Sequence, residues 1–209
     1  MNPHEALRRE ALRLHARYHL ELIERFSVCP WARAARVEGR KRTHVVTSAS
    51  CSPEELAPVL AGWAGDDTID VAFVIAPRFA GGPDSFAAWA RSIGKQHDGV
   101  FLTAPFYPCA AESAGSIQFL RQTPDPTVQL VRRSRLEEIR AQDPPHYRDI
   151  FDIDLEKLNG AKAPQSVAAS VVSHNERMLE REGRAEIQGI FDDIQRDRER
   201  SYARLMPLF

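Results

Sequence analysis

Apolar positions recur at three- and four-residue steps through the first 26 residues. Leu7, Ala11, Leu14, Tyr18, Leu22 and Phe26 fall on one face, which predicts an amphipathic helix ending before Pro30. Asn2 stands where an N-cap belongs, Pro3 at the first helical position and Glu5 where a capping box needs it. The period then changes. THVVTS (43–48) is short and β-branched and predicts a strand. SPEE (52–55) opens a helix with Ser52 as cap and Pro53 behind it, running to about Trp63. DVAFVIAP (70–77) is a nearly continuous apolar run and predicts a strand buried on both faces. GGPD (81–84) is a turn, a helix follows from about Asp84 to His97 with Phe86, Trp89, Ala90 and Ile93 on one side, and VFLTAPFY (100–107) is a third strand.

Downstream the pattern predicts helix. PTVQLVRRSRLEEIR (126–140) carries Val128, Val131, Leu136 and Ile139 among charges, and residues 141–154 form a proline-marked connector. From about Pro164 helical spacing returns with Val167, Val171, Met178, Ile187, Ile190, Phe191 and Ile194. Gly183 and Gly189 leave one segment or two equally open. RDRERSYAR (196–204) is expected to be a solvated end. A helix followed by strand–helix–strand–helix–strand predicts one α/β domain over residues 1–209. Its sheet is expected to be small, mainly parallel and three-stranded, with surrounding helices and a long helical C-terminal region. The alternative is a ferredoxin-like α+β sandwich, should one strand run antiparallel.

Composition narrows the function classes. The 209 residues are 43% apolar and 27% charged, with a net charge of −1, so no global basic field draws in nucleic acid. No run approaches the ~18 apolar residues of a membrane-spanning helix, and the charged first helix is not a targeting peptide. Cys29, Cys51 and Cys109 are odd in number and widely spaced, which fits a reducing compartment and neither a disulfide framework nor a zinc site. A cytoplasmic protein without cofactor or metal is the expectation.

The charge is unevenly placed. Cys29 is followed by Arg33, Arg36, Arg40, Lys41 and Arg42. Nearby cations favour a thiolate, and a guanidinium fork suits a phosphate or carboxylate. The plain alternative is a buried cysteine beside a solvated connector. Arg33 and Arg42 are expected to face inward with Cys29, and Arg36, Arg40 and Lys41 to be solvated. Arg132, Arg133 and Arg135 make a second basic cluster, partly neutralised by Glu137 and Glu138. His15 and His19 have metal-ligand spacing on one helix face, but no third ligand is evident. Tyr107, Cys109 and Glu112 follow the third strand, at the end where open α/β sheets bind ligands. His174, Asn175 and Glu176 are consecutive, so they cannot all share a site. Phosphate-loop, dinucleotide-fold and nucleophile-elbow patterns are absent.

With these residues in view, the chain resembles the bacterial family catalogued as domain of unknown function 1415, over most of its length. RYHLELIERFSVCPWA carries that family's pattern at Arg17, Tyr18, Cys29, Pro30, Trp31 and Ala32, followed by Arg33, Gly39 and Arg42. Pro124, Pro126, Leu130, Arg132 and Asn175 match further on. Tyr107 and Gln129 stand where the family has histidines, and Arg133 where it has a glutamate. The resemblance implies no known activity. Together with the cation clusters it supports a pocket for a small anionic ligand, in an enzyme or a degenerate one. Cys29 would line it, Arg33, Arg42 and Arg132 would hold the anion, and Tyr107, Gln129 and Asn175 would orient it. Two other readings stay open: a non-catalytic interaction protein, such as a homodimer, working through its helical C-terminal region, and a redox-active thiol at Cys29.

Overall fold

The fold was determined as a computed structural model that describes residues 2–29, 31–109, 115–141 and 167–209. Pro30, Glu112, the connector at 141–154 beyond Ala141, and Pro164 lie outside the described residues. Helix α1 spans Pro3–Tyr18 and starts as the sequence predicts, with the Asn2 side chain accepting from the His4 amide at 3.0 Å and Pro3 in the first turn. It continues as a π-helical turn, His19–Glu24. That wider turn keeps both Leu22 and Ile23 inside together with Tyr18 and Phe26. Ser27, at φ 52°, is in the left-handed region and ends the helix, with the Val28 amide donating to Ile23 O at 3.0 Å.

Helix α2 (Ala32–Val37) ends at Gly39, whose φ of +69° places it in the left-handed region. The Gly39 amide donates to Arg36 O at 3.3 Å and the Arg40 amide to Ala35 O at 2.8 Å, a Schellman pairing that stops the helix and aims the chain into strand β1 (Lys41–Val45). Then follow α3 (Pro53–Ala64), β2 (Val71–Ile75), α4 (Pro83–Lys95) and β3 (Phe101–Phe106), close to the predicted bounds. Ser52 caps α3 by accepting from the Glu54 amide at 3.2 Å.

The region after β3 departs from the prediction. A short helix α5 (Ser116–Phe119) leads to a fourth strand, β4 (Thr127–Arg132), and only then to helix α6 (Arg133–Ala141). The strand order is β1-β2-β4-β3. Strands β1, β2 and β3 run the same way, as predicted, but β4 inserts antiparallel between β2 and β3. The sheet is therefore four-stranded and mixed. Although one strand is antiparallel, the chain order β-α-β-α-β-α-β is not the split β-α-β-β-α-β arrangement of a ferredoxin-like sandwich. Helical periodicity over 126–140 misled because Val128 and Leu130, two apart, belong to a strand, while Leu136 belongs to the helix after it.

One sheet face is closed by α3 and α4. Ala72, Val74, Val128, Leu130 and Phe101 pack there against Leu56, Leu60, Phe86, Ala90 and Ile93. Helix α4 reaches β3 closely at Gly94, where an added Cβ would lie 2.5 Å from Thr103 Oγ1 and 2.9 Å from its Cβ. Gly94→Ala should therefore cost about 1–3 kcal/mol by overpacking, read as a lowered urea midpoint with an unchanged m-value. Thr103→Ala in the same chain, which removes the Oγ1 contact, should recover part of it.

The opposite sheet face is covered by α1, the π-helical turn and the C-terminal helix α7 (Val167–Glu182), and a last helix, α8 (Arg184–Leu205), packs on α1. Gly183, at φ 86°, divides these two helices. Met178, Leu179, Ile187, Phe191, Ile194 and Tyr202 are buried against Leu7, Leu14 and Tyr18 of α1. The C-terminal apolar stripe is thus spent inside the domain. The segment expected to be a solvated end is helical and partly buried: Arg198 donates to Asp125 Oδ1 and Tyr202 OH to Asp125 Oδ2, both at 2.7 Å.

Candidate functional site

Between the second sheet face and its helical cover lies a cavity of about 480 Å3. The strands supply its floor, because side chains alternate across a strand and the paired register aligns the rows. Lys41, Val71, Val131 and Leu102 form one row, and Phe73, Gln129 and Ala104 contribute to the next. Helix α1 and the π-helical turn add His15, Tyr18, His19 and Ile23, the loop after them adds Cys29 and Trp31, and α7 adds Asn175. Glu38, Asp70 and Arg135 stand at one end, where Arg135 lies 3.5 Å and Arg40 3.3 Å from the Asp70 carboxylate.

The polar groups in this mostly apolar space are the informative ones. His15 is 3% exposed and His19 5%, and none of their four ring nitrogens has a hydrogen-bond partner in the described structure. Oδ1 of the buried Asn175 is likewise without one. Unpaired buried polar atoms cost free energy, so a cluster of three such residues at one cavity calls for an explanation. The Phe73 ring is the hub of the group. Both imidazole centroids lie 4.9 Å from its centroid, the imidazoles are 4.5 Å apart, and Lys41 Nζ sits 5.2 Å from it.

Burial sets the protonation states. It pushes His15 well below the ordinary imidazole range, reinforced by His19 and Lys41, and lowers His19 to about 3, reinforced by Lys41 and Arg36. Both rings are therefore neutral at neutral pH, each with one donor and one acceptor nitrogen. Lys41 is lowered to about 8, again first by desolvation; Glu24 opposes that shift and Arg36 adds to it. Glu24 is itself held by Arg36 at 2.6 Å, and no described carboxylate lies within ion-pair distance of Lys41.

The seven residues singled out by sequence divide. Cys29, Gln129 and Asn175 line the cavity. Arg33 is exposed and is not part of the lining. Arg42, one step along β1 from Lys41, belongs to the opposite sheet face, where it donates to Gly39 O at 2.6 Å and lies 3.6 Å from Asp66. Arg132 is buried on that same face, and its guanidinium donates to Ile69 O, Trp63 O and Asp66 O at 2.7–2.8 Å, binding the end of α3. Tyr107 also lies there, against Phe86, with its hydroxyl donating to Gly81 O at 2.8 Å. The expected convergence of Arg33 and Arg42 with Cys29 does not occur, nor do Tyr107 and Gln129 face one another. Of the five cations after Cys29, the one in the cavity is Lys41, which the sequence suggested was solvated. The other two expected on the surface are paired there, Arg36 with Glu24 and Arg40 with Glu38 and Asp70.

Cys29 is a thiol in this setting. Burial pushes it above the usual range, with the Trp31 and Ala32 amides partly opposing. All three cysteines are free. Among the described residues, no group of three or more His, Cys, Asp and Glu is arranged to hold a metal ion, and no helix is long and apolar enough to cross a membrane. His15, His19 and Lys41 are the site residues that sequence reasoning passed over. The four-residue histidine spacing was the available signal, and it gave no direction. Compared with protein-family models, with curated proteins and with solved structures, the chain finds no match.

Proposed function

We propose that this protein binds a small molecule with an apolar body and one anionic group, with the anion held by Lys41. One observation carries the reading: a lysine on the wall of a mainly apolar cavity, over an aromatic ring, with no described carboxylate to pair with. A buried charge is normally paired, and a bound carboxylate or phosphate would supply the pair. His15, His19, Gln129 and Asn175 offer hydrogen bonds to the same head group, and Val71, Leu102 and Val131 accept the apolar body. The anion expected from the sequence is kept; the arginines proposed to hold it are replaced by Lys41. The family resemblance adds support, since Tyr18, Cys29, Trp31, Ala32, Gln129 and Asn175, all positions of its pattern, line this one cavity.

Isothermal titration with straight-chain carboxylates from hexanoate to dodecanoate, with alcohols of equal length as neutral controls, tests the reading. The acids should bind more tightly than the alcohols. Lys41→Met should remove that advantage, about 1.5–3 kcal/mol or roughly tenfold to a hundredfold in Kd. Equal affinity for acid and alcohol in the wild type, or no binding of either, would overturn it.

A further inference from the structure

The contents of the cavity suit covalent chemistry as well as binding. Lys41 enters from β1 and stands over the Phe73 ring of β2. Around that same ring are His15 and His19 from the helical cover, both neutral and both with free nitrogens. The remaining charges acting on Lys41 are Glu24 and Arg36, which are bonded to one another. An amine becomes a nucleophile when it is desolvated and free of a carboxylate partner, because its unprotonated form is then accessible near neutral pH. Imine formation further needs a group that takes a proton and returns it. A neutral imidazole does both.

We propose that Lys41 captures small apolar aldehydes or ketones in this cavity as imines, with His15 or His19 relaying the proton. The Lys41 nitrogen forms a bond to the carbonyl carbon as the C=O π pair moves to oxygen. The imidazole takes one proton from that nitrogen and delivers it to the oxygen, giving a neutral carbinolamine. The nitrogen lone pair then closes the C=N bond as the C–O bond breaks, and the imidazole carries the second nitrogen proton to the departing hydroxyl, which leaves as water. Amine and carbonyl compound give imine and water, and no oxidant or reductant is consumed. This rests on the reading that the cavity admits small molecules with apolar bodies. An acid ligand would retain the charged Lys41, and a carbonyl ligand would draw on its neutral form.

The chain has four lysines, Lys41, Lys95, Lys157 and Lys162, so each is a separate and identifiable target. The intact protein is incubated with hexanal and sodium cyanoborohydride near pH 7.5, and hexyl-lysine is located by peptide mass spectrometry over time. Lys41 should be alkylated at least about tenfold faster than the exposed Lys95. Dodecanoate added beforehand should slow Lys41 and leave Lys95 alone. The double variant His15→Leu/His19→Leu should slow Lys41 by about a hundredfold without changing the Lys95 rate. The milder His19→Gln, close in size and still able to hydrogen-bond, should slow it in the same direction. In the wild type, alkylation of Lys41 no faster than Lys95 overturns the proposal. If carboxylates still bind in that sample, only the imine chemistry fails. If they do not, the binding reading fails with it.

Discussion

Asp125→Ala should destabilise the protein by about 3 kcal/mol or more, because it breaks a buried ion pair from one side. Asp125 is 1% exposed and sits in the turn just before β4. Its two carboxylate oxygens accept from Arg198 and from Tyr202 on α8, each at 2.7 Å. Its backbone carbonyl accepts from Thr123 and Thr127, each at 2.8 Å. Burial pushes the carboxyl up, and Arg198 and Tyr202 pull it down. The alanine variant would leave a guanidinium and a phenol facing an empty acceptor site. Asp125→Asn keeps one oxygen for Tyr202 and should cost less. Tyr202→Phe removes one hydrogen bond and should cost about 1–1.5 kcal/mol. Urea unfolding at neutral pH measures all three. Near-equal midpoints for wild type and Asp125→Ala would show that the C-terminal helix is not tied to β4 in this way.

A second large effect is expected on acidification. In the fold His15 lies well below the usual imidazole range and His19 near 3, whereas both return to about 6.5 in the unfolded chain. Between these values the unfolded state binds more protons than the folded one. Stability is therefore fully present above about pH 6.5 and is lost as the pH falls below it. His19 should remove about 2 kcal/mol by pH 5, and His15 adds a loss of the same sign. His44 and His174 are lowered as well, chiefly by partial burial, and give a smaller loss of the same sign. The check is urea midpoints from pH 7.5 to 5 in wild type and in His15→Phe/His19→Phe. The double variant should keep only the shallower slope. Parallel curves in the two proteins would mean that the imidazoles are not held neutral in the cavity.

The histidines show how a site is half legible. Their four-residue spacing puts both on one helix face, but that face also carries Leu14, Tyr18 and Leu22, which read as ordinary core. Whether a polar side chain on such a face is satisfied or orphaned depends on what lies across from it, here the Phe73 ring from a strand more than fifty residues away. Asn175 was singled out from the family pattern and Cys29 from its basic neighbours, and both reach the cavity through contacts neither signal encodes. Arg132 illustrates the reverse. An arginine cluster suggested anion binding, but its guanidinium is used up on the carbonyls at the end of α3.

The sequence by itself determined the elements whose signals are local. These include the Asn2 and Ser52 caps, the apolar face of α1, the three strands that run the same way and the helices between them. Each follows from side-chain period and end chemistry within some twenty residues. Only the tertiary structure decided the antiparallel insertion of β4, because strand pairing is a long-range choice, here made by ladders to β2 on one side and β3 on the other, while Asp125 and Gln122 bond across to α8. It also decided which face of β1 became the site. Lys41 and Arg42 point to opposite sides of one sheet, and the Schellman turn at Gly39 fixes where that strand begins. The helices covering each face then make Lys41 a cavity residue and Arg42 a surface one, an outcome set by packing across the whole domain.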